Sequence, residues 1–214
     1  RADRCRRSKN PYRMISVGLT GSIATGKSEV AKLFFIKGIP VFDSDAVVHD
    51  LCAEPATRNL IGTVFPEAII NGKIDRFLLA RQVFGFPEEL KKLEDLVHPL
   101  VRRKRNEFIT HWQGQSCPYV ILDIPLLFET GADREVDYTI VVSADEGIQK
   151  ARAMARPGMT EEKLAHILKR QIPDMEKRAR ADFVIENSSS MEHLRIQVDA
   201  LSRKLAELAG NKKP

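Results

Sequence analysis

The sequence predicts an α/β protein with a five-stranded parallel sheet, on three observations. Short apolar runs at residues 14–20, 39–43, 120–123, 137–142 and 182–186 alternate with helical patterns, as crossover connections of a parallel sheet require. A glycine-rich turn at residues 21–28 follows the first run and leads directly into a helical pattern. Two stretches between runs exceed what a simple crossover needs, so the sheet is expected to carry insertions.

Residues 14–20 are almost continuously apolar, as a parallel strand covered on both faces must be. Residues 29–37 read as a helix with Val30, Leu33 and Phe34 on one face and Gly38 placed to end it. The stretch between the second and third runs holds helical patterns at 88–97 and 101–112, punctuated by Gly62, Pro66, Gly72, Gly85 and Pro87. It predicts an inserted, mostly helical domain over residues 49–117. Residues 146–180 form the second insertion, in which two helices flank Arg156, Pro157 and Gly158 and Thr160 caps the later one. Their polar composition predicts a mobile lid. Residues 191–208 close the chain with an amphipathic helix facing inward through Leu194, Val198, Leu201 and Leu205. The core is thus expected from residues 14–48, 118–145 and 181–214.

With 214 residues, 43% of them hydrophobic, the chain has enough apolar material for one domain with smaller insertions, which excludes disorder and fibrous repeats. No run approaches the roughly 18 apolar residues of a membrane span, and a cytoplasmic protein is expected. The formal charge of +5 lies wholly in residues 1–13, which hold six basic residues and one acidic one, so the body is neutral. That segment is expected to be a disordered or non-native arm, and nucleic acid binding is not expected. Three cysteines without a CxxC pair offer neither a disulfide framework nor a zinc site. Cys52 and Cys117 read as small apolar residues near the core. His49, His111, His166, His193 and Trp112 show no metal-ligand spacing and read as packing or surface residues.

Residues 21–28, GSIATGKS, match G-x-x-x-x-G-K-[ST] in strand–loop–helix context. Such a loop turns successive backbone N–H groups onto phosphate oxygens, and the following helix adds its positive dipole end. The expected ATP-binding set is Gly21, Ala24, Thr25, Gly26, Lys27, Ser28 and Glu29. Lys27 would bridge the β- and γ-phosphates and Ser28 would bind Mg²⁺. Ala24 keeps its N–H free, whereas Glu29 offers only its N–H, because its carboxylate repels phosphate at short range. Asp123, at the end of an apolar strand, is a further candidate for the metal. No Asn-Lys-x-Asp guanine reader occurs in a suitable place, which disfavours a GTPase. A P-loop core with two insertions fits a small-molecule kinase, one insertion holding the acceptor and the other closing over ATP to exclude water.

The segments 17–28 (VGLTGSIATGKS), 41–45 (VFDSD), 73–76 (KIDR), His98 with Pro99, 123–129 (DIPLLFE), Arg152, Arg156, 171–173 (QIP) and Ala181 with Asp182 through Asn187 stand in register along the chain. In that order they resemble the dephospho-CoA kinase family. The resemblance implies transfer of the ATP γ-phosphate to the ribose 3′-hydroxyl of dephospho-CoA, the last step of coenzyme A synthesis. It also implies a nucleoside-monophosphate-kinase-like core with a helical acceptor domain and a lid.

Within that resemblance Asp43, ending the second strand, is the expected general base, sharing a cleft with the phosphate loop. Asp45 is expected on the acceptor side or as a helix cap. Thr20, Arg76 and His98 resemble acceptor-facing positions, where the fork of an arginine suits a pyrophosphate. Arg152 and Arg156, spaced i and i+4, are expected on one helix face, with Arg152 stabilising the shifting charge and Arg156 gripping ATP. Asn187 resembles a residue beside the adenine. Two other readings remain at this point: a nucleoside or nucleotide kinase with a similar core, and a P-loop binding protein whose basic arm meets a partner.

Overall fold

The computed structural model describes residues 14–115 and 117–211. The expectation of an arm at residues 1–13 lies outside them. In chain order the elements are β1 (Ile15–Gly21), α1 (Lys27–Ile36), β2 (Val41–Asp43), α2 (Ser44–Ala53), α3 (Pro55–Val64), β3 (Ile69–Ile70), β4 (Lys73–Ile74), α4 (Arg76–Val83) and α5 (Pro87–Gln113). They continue as β5 (Tyr119–Asp123), β6 (Tyr138–Ser143), α6 (Glu146–Met154), α7 (Glu161–Lys169), α8 (Asp174–Arg180), β7 (Phe183–Glu186) and α9 (Met191–Asn211). The chain divides into two compact units, one reaching to Phe42 and resuming at Ile109, the other Asp43–Phe108.

The first unit carries the five-stranded sheet in the order β2-β5-β1-β6-β7. β1 pairs in parallel with β5 and β6, and β6 with β7. All seven residues of β1 are buried, because it has a neighbour on each edge and helices over its faces, which explains its unbroken apolar run. Val30 and Phe34 of α1 join Leu194, Val198, Leu201 and Leu205 of α9 in one core with Ile15, Val17 and Leu19 of β1. The inward face of α9 is therefore the one its periodicity predicts. The Tyr119 hydroxyl and Ser202 Oγ share a hydrogen bond of 2.6 Å, fastening α9 to β5. Burial pushes the Tyr119 phenol up to about 12.

Residues 146–180 belong to this unit and form three helices rather than the two expected. α8 has no apolar stripe to reveal it; its inward residue is Lys177, fully buried with Nζ 2.9 Å from Glu129 Oε1. A lysine that faces inward is invisible to hydrophobic periodicity.

The second unit is built from α2, α3, α4 and most of α5 around Ile61, Phe65, Ala68, Leu79 and Val97. It also holds an antiparallel hairpin that the sequence reading missed, β3 with β4, pairing Ile69 with Ile74. Asn71 and Gly72, at φ 50° and 69°, make its turn, and Asn-Gly is the dipeptide such a turn prefers. Strands of two residues are too short for an alternating pattern to register. The two helical patterns expected at 88–97 and 101–112 are one continuous helix, α5, with Pro99 inside it. An interior proline costs about 3 kcal/mol, but Leu93, Val97 and Val101 keep one face packed on the core across it. His98 is accordingly a helical residue, one position before that proline.

Candidate phosphate-binding site

The loop between β1 and α1 has the shape of an anion cradle. Gly26, at φ 94°, is the N-cap of α1 and has no side chain with which to cap it. The first N–H groups of the helix therefore remain open to a ligand. Thr25 braces the turn from within, its Oγ1 donating to Ser22 O at 2.9 Å. Gly21 is required by close approach: a Cβ there would lie 2.6 Å from Val142 O and 2.7 Å from Thr25 Oγ1. Ala24 adopts φ 62°, the left-handed region that a non-glycine residue rarely occupies.

At Gly26 two constraints coincide. Its φ favours glycine, and a Cβ would overlap Asn187 Nδ2. Asn187 is 93% removed from solvent: only 7% remains exposed. Its Nδ2 donates to Thr25 O at 2.8 Å, and its own N–H donates to Ser143 O at 2.8 Å. Arg152 Nη1 in turn donates to Asn187 O at 2.9 Å. Thus Asn187, Arg152 and the phosphate loop meet in one place, brought together by the parallel ends of β1, β6 and β7.

Lys27 Nζ forms an ion pair with Asp123 Oδ1. The sheet register makes this possible: Asp123 stands beside Leu19 on the neighbouring strand, at the same edge from which the loop springs. Ser28 is exposed, and Glu29 half-buried. Ser28 and Asp123 present hard oxygen donors of the kind Mg²⁺ takes, and among the described residues no group of three or more His, Cys, Asp or Glu could hold a metal by itself. That donor set fits a Mg²⁺ ion whose shell is completed by phosphate oxygens and water.

The remaining candidates fall in several environments. Thr20 is fully buried, and its Oγ1 donates to Pro125 O at 3.0 Å. Arg156 is exposed and lies beyond the end of α6 at Met154, in the bend before α7. The expectation that Arg152 and Arg156 share one helix face is corrected: the Arg156, Pro157, Gly158 sequence stops the helix before the second arginine. Thr160 does cap α7, accepting from Lys163 N at 3.2 Å.

In the second unit Asp43 is the N-cap of α2, its Oδ1 accepting from Ala46 N at 3.0 Å. Asp45, for which a cap is one of two expectations, lies instead in the first helical turn, where its charge favours the helix dipole. Arg76 opens α4 behind the Asp75 cap. Arg76 and His98 both line a cavity of about 360 Å³ with Val48, Cys52, Leu79 and Glu94. Burial pushes the Cys52 thiol up, so it behaves as an apolar wall rather than a nucleophile. Among the residues that sequence reasoning did not single out, Gln149 is prominent: its Nε2 donates to Ile23 O at 2.8 Å. A lone surface-type glutamine gives no sequence signal.

Similarity to known proteins agrees with this geometry. A family model described as dephospho-CoA kinase matches residues 15–193. A dephospho-CoA kinase of Rhizobium etli is 51% identical over 185 residues, 86% of this chain and 91% of the relative. One of Agrobacterium fabrum is 47% identical over 192 residues, 90% of this chain and 98% of the relative. A crystal structure of a Thermus thermophilus protein superposes with a TM-score of 0.80 at 41% identity, covering 92% of this chain and all of that one. The matched residues 15–193 run from β1 into α9, and on this likeness the chain belongs to the dephospho-CoA kinase family.

Proposed function

We propose that the chain transfers the γ-phosphoryl group of ATP to the ribose 3′-hydroxyl of dephospho-CoA, completing coenzyme A. The observation that carries this reading is the cradle of Gly21 to Ser28, with Lys27 and Asp123 paired at its mouth, in a chain of this family. Residues 49–117 would receive the acceptor, residues 146–180 would act as the lid, and the reaction would run in the cytoplasm, where ATP is supplied.

The backbone N–H groups of Lys27 and Ser28 lead toward the phosphates in this reading, whereas those of Thr25 and Glu29, also expected to bind ATP, already donate to Ser22 O at 3.3 Å and to Gly26 O at 3.0 Å. Lys27 exchanges its Asp123 partner for the β- and γ-phosphate oxygens, a short move because both lie at the same strand edge. Ser28 and Asp123 would hold Mg²⁺, which would neutralise charge on the phosphates. The acceptor oxygen attacks the γ-phosphorus while the bond to the β-γ bridging oxygen breaks, and ADP departs. Asp43 orients the acceptor hydroxyl and takes its proton late, since this transition state needs little prior deprotonation. One of its oxygens caps α2, which holds the carboxylate in a defined rotamer while it works. Arg152 and Arg156 offset the charge moving onto the leaving group, and Arg76 and His98 hold the acceptor's anionic part. Asn187 borders the adenine while bracing the loop.

A coupled assay offering dephospho-CoA beside AMP, CMP and nucleosides tests the reading. Turnover with dephospho-CoA, abolished by a chelator and restored by Mg²⁺, is expected. Turnover confined to a nucleoside monophosphate would overturn it.

A further inference from the structure

The residue at the crest of the phosphate loop, Ile23, has both of its backbone groups held by side chains from the lid segment. Gln149 of α6 donates from Nε2 to Ile23 O at 2.8 Å. From the turn between α7 and α8, Gln171 accepts at Oε1 from Ile23 N at 3.0 Å. We infer that Gln149 and Gln171 are positioning residues that preform the phosphate loop, one acting as donor and the other as acceptor on the same peptide neighbourhood. The inference rests on the ATP-binding role of the loop proposed above.

The need for such a clamp is local. Ala24, the next residue, sits at φ 62°, a conformation that costs a non-glycine residue free energy and persists only where the surroundings impose it. Its methyl group is buried with Ala153 and Leu164, and Ile23 and Met159 complete that cluster. Packing from α6 and α7 therefore fixes the Ala24 side chain while the two glutamines fix the backbone before it. A loop fixed in this way presents its N–H groups to the phosphates without reorganising on binding.

Gln171 is itself anchored. The N–H of Ile172 donates to Glu129 Oε1 at 2.9 Å, and Glu129 pairs with Lys177, which is fully buried, at 2.9 Å. The buried ion pair thus fixes the turn that carries Gln171, and through it the loop. Charge on these glutamines has opposite consequences at the two positions. A glutamate at 171 still accepts from Ile23 N, whereas a glutamate at 149 sets a carboxylate against Ile23 O with no hydrogen to share.

The test uses the full chain and three readouts: exchange of the Ile23 amide proton by nuclear magnetic resonance, ADP affinity by calorimetry, and the melting temperature without nucleotide. For Gln171→Leu the expected result is loss of Ile23 amide protection and ADP binding weaker by about 3- to 10-fold, the worth of one hydrogen bond, with little change in melting temperature. Gln171→Glu should restore amide protection. Gln149→Leu should weaken ADP binding similarly, and Gln149→Glu should weaken it further instead of rescuing it. Unchanged Ile23 protection in Gln171→Leu, or equal effects of the glutamate variants at both positions, would overturn the clamp. Neither exchange nor ADP binding involves an acceptor, so failure of the wild-type chain to phosphorylate dephospho-CoA would sink the proposed reaction and leave this result readable.

Discussion

Asn187 donates from its side-chain amide to the carbonyl oxygen of Thr25 at 2.8 Å, so the residue that follows β7 holds the turn that follows β1. The two are far apart in the chain and adjacent only because β6 lies between parallel neighbours. The contact is tight enough that Gly26 has no room for a side chain.

Gly26→Ala is therefore expected to abolish measurable ADP binding through two faults, the strained φ and the overlap with Asn187. Removing the overlap in the double variant Gly26→Ala with Asn187→Ala should return part of the affinity but not all of it, since the φ of 94° remains and costs alanine roughly 1 kcal/mol. Calorimetric titration of ADP into the two variants measures the difference. Full recovery in the double variant would show that backbone strain contributes nothing.

Lys27→Met should lower kcat by roughly 100-fold or more through loss of charge on the transferring group. It also deprives buried Asp123 of its cation, so the melting temperature should fall as well. Adding Asp123→Asn should recover the melting temperature without restoring kcat. Thermal melts and steady-state assays on the single and double variants check both halves, and near-normal kcat in Lys27→Met would contradict the cradle.

Asp43→Asn keeps the cap, because an asparagine side-chain oxygen still accepts from Ala46 N. It should leave stability within measurement error and the ATP KM nearly unchanged while kcat falls sharply. Asp43→Ala should add a stability loss of about 1 kcal/mol for the missing cap. A rise in ATP KM with intact kcat in Asp43→Asn would remove the residue from the role of proton acceptor.

Lys177→Met leaves Glu129 buried without its cation and should cost about 3–5 kcal/mol, a fall in melting temperature on the order of 10 °C for a chain of this size. Pairing it with Glu129→Gln should recover much of the loss, because the surviving group is then neutral. Scanning calorimetry on the single and double variants decides this, and a melting temperature unaltered by Lys177→Met would show that the pair does not bind α8 in place.

Much of this molecule was legible before any coordinates. The phosphate loop could be read because each of its requirements is local: glycine where the chain turns or touches, a lysine and a serine at the helix start, and an apolar strand just before. The five strands and α9 could be read for the same reason, since burial on both faces or on one face writes itself into the order of residues. The helix α8, the β3–β4 hairpin and the continuity of α5 through Pro99 could not. α8 turns a lysine inward, the hairpin strands are two residues long, and the interior proline is held by packing that its own sequence does not record.

What the chain order determined alone is the chemistry available: a phosphate-loop motif, an aspartate at the end of the second strand, and arginines between β6 and β7. Only the tertiary structure decided which groups meet: that Lys27 pairs with Asp123, and that Asn187 and Gln171 hydrogen-bond to the loop. The division has one physical cause. Backbone conformation and burial pattern follow from neighbours in sequence, whereas a contact between residues as distant as Lys27 and Asp123 or Thr25 and Asn187 depends on strand order and register, which side chains a residue or two away do not encode.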